Sequence, residues 1–142
     1  MMFENTQEVN VCLGSAVKQA SELMKRIGGG KMLVFNSVLP AVGEGKLDNR
    51  FDTKLLGTPK EVNLLKPQGK FYKELGLDCS SKNIGIDTFI FASSNFNDTA
   101  TIGVLSQFTG GQIFHYSHFN ASAYGEKFSR DLQSTLLRET GI

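Results

Sequence analysis

Short polar clusters follow three apolar segments of the chain, and these clusters are its best candidates for binding an ion or a phosphate. They are Asn36-Ser37, Ser93-Ser94-Asn95 and Ser117-His118. In an open parallel sheet, ligands bind beyond the carboxyl ends of the strands. Only Asp98 adds a carboxylate near these hydroxyls and amides, and hard cations prefer more oxygen charge. We therefore predict no metal site, and a flavodoxin-like enzyme with Ser93, Ser94 and Asp98 around a phosphate stays as an alternative.

Two glycine clusters resemble phosphate-binding loops in composition alone. Gly28-Gly29-Gly30-Lys31 follows a predicted helix and precedes a predicted strand, whereas a phosphate loop requires the reverse order. Gly43-Glu44-Gly45-Lys46 lacks the third glycine and the flanking strand and helix. We interpret the first cluster as a helix stop and the second as a turn.

The residues that could act as catalytic groups lack partners in the sequence. His115 lies in a predicted strand and His118 follows it, and neither is near a Ser or Cys nucleophile with an acid. Asp87 interrupts an apolar strand, so we expect it to be paired within the fold. Cys12 and Cys79 form no CxxC motif and are expected to be free thiols. The residues predict no catalytic group, metal or cofactor.

The candidates for protein binding are four basic residues in a segment without regular periodicity, residues 37–66. They are Lys46, Arg50, Lys54 and Lys60. A solvated basic face is one interpretation. The other is a contact with a partner protein, since long ordered loops without regular structure are often functional.

Hydrophobic periodicity predicts alternating helices and strands around these residues. Helices are expected at about 8–27, 68–80 and 124–139, with another after Asn97-Asp98-Thr99 that carries Ile102 to Phe108. Strands are expected at about 32–35, 84–92 and 112–116. This alternation predicts an α/β layer fold with a mainly parallel sheet. Phe35, Phe89, Phe91, Phe108, Phe114 and Phe128 fall on predicted core positions.

Composition limits the class of protein. The 142 residues carry 15 Lys+Arg and 14 Asp+Glu, a net charge of +1, so charge does not favour nucleic acid or an anionic membrane. Apolar residues make up 40%, which excludes intrinsic disorder, and no apolar run is long enough to cross a membrane. The amino-terminal residues lack the features of a signal peptide, so we expect a cytoplasmic protein.

Several segments in order along the chain are similar to those of one known family. The chain resembles the trunk domain of the cargo-adaptor subunit of the COPII inner coat, at Ser37–Leu47, Arg50, Lys60-Glu61, Leu65, Pro67, Phe71–Leu75, Cys79-Ser80, Ile86–Phe89, Thr109-Gly110-Gly111 and Phe128. The resemblance implies an incomplete von Willebrand factor A-like α/β fold, with an irregular insertion at about 37–66. It implies that 1–142 is the C-terminal portion of one trunk domain, without the family's zinc ribbon, first trunk strands or β-sandwich.

The resemblance also implies a function. It implies a non-catalytic coat protein that pairs with the GTPase-activating coat subunit at endoplasmic reticulum exit sites. The complete protein would bind cargo and SNARE sorting signals, and membrane association would be peripheral, through the assembled coat. Asn36-Ser37 stands where metal-binding A domains place an aspartate, and the family's zinc site lies upstream, so no metal is expected. The alternative within this coat is the GTPase-activating paralogue, which has Gly-Pro pairs where this chain has Leu39-Pro40 and Gly43-x-Gly45.

One structural expectation follows for the strand at 31–36. Its apolar residues face both layers, so it is expected to pair with a central strand that the chain lacks. The isolated chain would then expose a strand edge. We expect a dimer through 31–36, an exchanged segment or marginal stability.

Overall fold

Three parallel strands form the centre of the fold, and helices cover both faces of the sheet. The computed structural model describes residue 7 and residues 9–92 and 96–138. The elements are α1 (Leu13–Lys25), β1 (Gly30–Asn36), α2 (Phe71–Ser81), β2 (Ile84–Ala92), α3 (Thr99–Ile102), α4 (Val104–Thr109), β3 (Ile113–Ser117) and α5 (Ala121–Leu137). The predicted α/β fold with a parallel sheet is confirmed.

The strand order β1-β2-β3 places β2 between two neighbours. Met32 is in register with Ile86, and Phe89 is in register with Phe114. Because β2 is paired on both sides and covered on both faces, it is the apolar, β-branched and aromatic run that the sequence predicted. Its predicted bounds agree with the observed strand.

Residues of opposite parity in β2 face two different cores. Ile86 and Ile90 pack with Val17 of α1, Leu75 of α2 and Leu105 of α4. On the other face, α5 packs on aromatic rings, with ring centroids 5.9 Å apart for Phe89 and Phe128 and 4.7 Å apart for Phe89 and Phe114. The phenylalanine excess therefore fills the layer under α5. Phe35 departs from the prediction, because it lies on an edge strand and is 50% exposed.

Several helix bounds differ from the predictions for local reasons. The predicted helix through Ile102 and Phe108 is divided at Gly103 into α3 and α4. A Cβ at Gly103 would lie 2.7 Å from Ile113 Cδ1, so this position lets β3 approach closely. Helix α5 starts before residue 124 because the Asn120 side chain accepts a hydrogen bond from Ser122 N and caps the first turn.

Helices α1 and α2 are shorter than predicted. Helix α1 covers Leu13–Lys25, and α2 covers Phe71–Ser81. The backbone of Gly28 and Gly29 has positive φ, 89° and 101°, which turns the chain from α1 into β1 as expected for a helix stop. Within the described part of the chain, no helix is both long and apolar enough to cross a membrane.

The turn from α4 to β3 depends on two adjacent glycines with different roles. Gly110 has a φ of 69°, the left-handed conformation that ends a helix. Gly111 lies against β2, where a Cβ would be 1.8 Å from Ile86 O. No side chain fits at Gly111 without displacing the central strand.

Residues 37–70 form an irregular segment at the surface, in agreement with the predicted insertion. Two short 3-10 helices interrupt it, Thr53–Leu55 and Pro59–Leu65. The buried side chain of Leu47 anchors the first part of this segment in the core. The backbone nitrogen of Leu47 donates a hydrogen bond to Pro40 O at 2.7 Å. We call residues 37–66 the insertion below.

Candidate protein-interaction site

A buried carboxylate at the carboxyl end of β2 organises the candidate site. Asp98 caps α3, and its side chain accepts from Thr101 N at 3.3 Å. Its backbone is left-handed, with a φ of 42°, and its side chain is 0% exposed. A buried carboxylate requires hydrogen bonds or an opposite charge, and both come from the segment that precedes α2.

Arg50 supplies the opposite charge from the insertion. One guanidinium nitrogen lies 2.8 Å from Asp98 Oδ1, and the other donates to Asn63 O at 2.8 Å. The Arg50 side chain is 22% exposed. Arg50 therefore links the second 3-10 helix of the insertion, Pro59–Leu65, to Asp98 at the edge of the sheet.

Gln68 completes the network at the other carboxylate oxygen. Its Nε2 donates to Asp98 Oδ2 at 2.7 Å and to Asp48 O at 2.6 Å. Its backbone nitrogen donates to Thr101 Oγ1 at 2.7 Å. The network of Arg50, Asp98 and Gln68, called the strap below, fixes the middle of the insertion and the residues just after it to the start of α3.

The strap also determines what this edge can do chemically. Both oxygens of Asp98 are occupied by donors from the chain, and its charge is matched by Arg50. In residues 7, 9–92 and 96–138, no group of three His, Cys, Asp or Glu side chains could hold a metal ion. The arrangement is suited to holding a loop in a fixed shape.

A cleft of about 370 Å³ opens beside the strap. Phe51 from the insertion stacks on Phe96, with ring centroids 5.8 Å apart, and Leu64 and Leu65 form part of the same wall. His115 of β3 also lines the cleft. The cleft walls are mainly apolar, and the polar side chains that line them include Asp98, whose two oxygens are already bonded within the strap.

The four basic candidates of the insertion have different environments. Lys46, Lys54 and Lys60 are exposed, whereas Arg50 is partly buried and bonded within the chain. The structure thus brings Arg50 to Asp98 and leaves the three lysines on the surface. A contact between these residues and a partner stays a prediction.

The partners of Asp98 could not be predicted from the sequence. Its role as an N-cap was predicted from Asn97-Asp98-Thr99, and it is confirmed by the bond from Thr101 N. Gln68 and Arg50 lie 30 and 48 residues away in the chain.

Asp87 has the pairing that its position in an apolar strand predicted. The Arg138 guanidinium lies 3.0 Å and 3.1 Å from its two oxygens, and Gln112 N donates to Oδ1 at 2.6 Å. Lys31 Nζ lies 4.0 Å from Oδ2. Asp87 therefore holds β2 to the turn before β3 and to the end of α5.

The remaining candidates are two histidines, two cysteines and the polar run 93–95. His115 and His118 are exposed, and His115 Nδ1 lies 3.4 Å from Ser117 Oγ. Cys12 and Cys79 are free thiols, as predicted, and burial raises the pKa of the Cys79 thiol. Ser93, Ser94 and Asn95, required by the phosphate alternative, lie outside the described residues.

Comparisons with known proteins give consistent matches. A model of the Sec23/Sec24 trunk domain matches residues 1–136. The chain is 45% identical over 141 residues to Protein transport protein SEC24 of Dictyostelium discoideum, covering 98% of the chain and 14% of that protein. It is 42% identical over 144 residues to Protein transport protein SEC24 of Neosartorya fischeri, covering 99% of the chain and 15% of that protein.

A solved structure is similar as well. The crystal structure of the human COPII-coat protein Sec24c matches with a TM-score of 0.85 and 34% identity, over 94% of the chain and 18% of the human protein. The chain therefore spans about a seventh of the length of the two SEC24 relatives.

Proposed function

The chain belongs to the Sec23/Sec24 trunk-domain family, and from this we propose that it is a non-catalytic module of a COPII vesicle coat. The observation that carries the proposal is the 45% identity to a SEC24 protein across 98% of the chain. The resemblance noted from sequence is confirmed at the level of family and fold. The relatives described above carry the Sec24 name, which favours the cargo-adaptor subunit over the GTPase-activating paralogue.

The finer proposal concerns partners and place. We propose that the complete protein pairs with the GTPase-activating coat subunit and gathers cargo and SNARE sorting signals at endoplasmic reticulum exit sites. The 142 residues would be the C-terminal portion of its trunk domain, with the zinc ribbon, the first trunk strands and the β-sandwich outside them. The low coverage of the SEC24 relatives supports a module within a longer protein.

The insertion supports a role in binding a partner. Lys46, Lys54 and Lys60 lie on an irregular segment that the strap holds against the sheet. A loop fixed by buried bonds loses little entropy when a partner binds it. Exposed lysines at the rim of such a surface would speed association with an acidic partner.

The test is a pull-down of the full-length protein with the purified GTPase-activating subunit. Lys46→Glu, Lys54→Glu and Lys60→Glu are compared singly with Arg130→Glu, the same charge reversal at an exposed position of α5. At least one lysine variant is expected to weaken binding about threefold or more, because rim charges change association. The Arg130 control is expected to bind like the parent.

Two results would oppose the proposal at different levels. If the parent protein fails to capture the subunit, the coat assignment is wrong. If the parent binds and all three lysine variants match Arg130→Glu, the coat assignment stands and the insertion is not the contact surface.

A further inference from the structure

The insertion contains the one Ser/Thr-Pro dipeptide of the chain. The sequence has three prolines, preceded by Leu39, Thr58 and Lys66, so only Thr58-Pro59 joins a hydroxyl residue to a proline. Proline has no backbone N–H and favours an extended conformation in the residue before it. A kinase pocket that offers no acceptor at this position admits proline and rejects residues whose N–H would be left unbonded. The dipeptide therefore has the chemistry that a proline-directed serine/threonine kinase recognises.

Thr58 lies where an enzyme can reach it. The residue is exposed, and its backbone is extended, with a φ of −106° and a ψ of 160°. Residues 51–60 are all exposed apart from Leu55, which is half-buried. The bond from Arg50 to Asn63 O at 2.8 Å closes the base of this loop. The Thr58 hydroxyl donates to Leu55 O at 2.6 Å, a bond within a single turn, so a kinase can displace it without breaking the strap.

We propose that Thr58 is a phosphorylation site for a proline-directed serine/threonine kinase, and that the phosphate weakens binding of a partner to the insertion. In the reaction, Thr58 Oγ1 attacks the γ-phosphorus of ATP and forms the new O–P bond. The bond from that phosphorus to the leaving ADP oxygen breaks, and the hydroxyl proton passes to the aspartate base of the kinase. The effect on binding rests on the proposed function, whereas the modification itself does not.

The phosphate would reverse the net charge of the insertion. Residues 37–66 carry five Lys or Arg and four Asp or Glu, a net charge of +1. A phosphothreonine adds about −1.5 to −2 at pH 7, which leaves roughly −0.5 to −1. Lys54 and Lys60 are exposed on either side of Thr58 in the chain, so the phosphate competes with a partner for them. An acidic partner would then meet a surface that no longer attracts it.

The turn at Thr58 also responds to the added charge. Glu61 Oε2 accepts a hydrogen bond from Gly57 N at 2.8 Å, so a carboxylate is bonded to the residue before Thr58. A phosphate placed next to a carboxylate disrupts local structure through repulsion of like charges. Phosphorylation is therefore expected to weaken this bond and to loosen the turn that carries Lys60.

The modification is tested on the full-length protein with a purified mitogen-activated protein kinase and ATP, followed by trypsin digestion and mass spectrometry. Trypsin cleaves after Lys54 and Lys60, and in the resulting peptide, residues 55–60, Thr58 is the only hydroxyl side chain. A phosphate on this peptide is thereby assigned to Thr58. We expect the peptide to be phosphorylated in most copies of the protein.

Two variants show whether the kinase recognises the dipeptide. Pro59→Ala keeps the hydroxyl of Thr58 and is expected to lower the initial rate of phosphorylation of residues 55–60 about tenfold or more. Thr53→Ala removes the other exposed threonine of the same loop, which precedes a lysine, and is expected to leave that rate unchanged. The absence of phosphate from residues 55–60, or an equal rate in Pro59→Ala, would overturn the site.

The effect on binding is measured in the pull-down with the purified GTPase-activating subunit. The kinase-treated parent is expected to bind about fivefold more weakly than the untreated parent, and kinase-treated Thr58→Ala is expected to bind like the untreated parent. Equal binding of the two treated proteins would show that the phosphate does not control the contact. If the untreated parent fails to capture the subunit, the coat assignment and the effect on binding are both wrong, while phosphorylation of residues 55–60 still decides the modification.

Discussion

Arg50→Ala tests whether the strap holds the insertion to the sheet. The substitution removes the guanidinium that lies 2.8 Å from Asp98 Oδ1 and also the bond to Asn63 O. Asp98 would keep its bonds from Gln68 and Thr101 N but lose its opposite charge. A buried carboxylate without a counter-charge is unfavourable, so we expect the folded state to be destabilised.

The size of the effect follows from the burial of the two partners. Removing one partner of a fully buried ion pair costs about 3–5 kcal/mol. Asp98 is 0% exposed, but Arg50 is 22% exposed and two other donors remain on the carboxylate. We therefore expect a loss of about 2–3 kcal/mol, which for a chain of this size lowers Tm by roughly 4–12 °C.

The assay is urea unfolding followed by far-UV circular dichroism at one fixed protein concentration. Arg50→Lys keeps the positive charge but loses the planar guanidinium. We therefore expect it to lose only about half as much stability as Arg50→Ala. Lys54→Ala, an exposed lysine of the same insertion, is expected to change stability by less than about 0.5 kcal/mol. If Arg50→Ala changes stability as little as Lys54→Ala does, the bond between Arg50 and Asp98 does not stabilise the fold.

Three further predictions concern the core and the sheet. Gly111→Ala is expected to cost about 3 kcal/mol or more in urea unfolding, whereas Gly125→Ala, in open space within α5, is expected to gain about 0.5–1 kcal/mol; equal effects would contradict the close approach to β2. Burial raises the pKa of Tyr72 to about 12, so the folded state holds a proton that the unfolded state releases, and stability should fall as pH rises from about 10 to 12. Tyr72→Phe should reduce this loss of stability at high pH. If the pH dependence of stability is the same in Tyr72→Phe as in the parent, Tyr72 is not its cause. Asp87→Asn should cost about 2 kcal/mol in the same unfolding assay because it weakens the pairing with Arg138, and a neutral result would show that the pair is not stabilising.

Local patterns in the sequence were sufficient for the sheet and most helices. Strand β2 was predicted with its observed bounds because a nine-residue run rich in β-branched and aromatic side chains is typical of a buried strand. The helix stop at Gly28-Gly29-Gly30 was predicted from glycine chemistry and the order of the neighbouring elements. The exact start of α5 required the Asn120 cap, which the spacing of Phe128 and Leu132 does not indicate.

The strap and the uncovered half of α1 could not be predicted in the same way. A row of basic residues has the same pattern whether it faces solvent, a partner or a buried carboxylate, so Arg50 was not distinguished from Lys54. Similarly, Leu23 belongs to the same helical period as Val17, although only Val17 is buried. Periodicity identifies an apolar surface, but the number of neighbouring strands decides how much of it is covered.

The coat assignment is tested most directly by calorimetric titration of the full-length protein with the purified GTPase-activating subunit of the COPII inner coat. We predict a saturable, equimolar complex whose affinity falls as salt concentration rises, since exposed lysines of the insertion are proposed to contribute to the contact. No detectable heat of binding together with separate elution of the two proteins on size-exclusion chromatography would contradict the assignment.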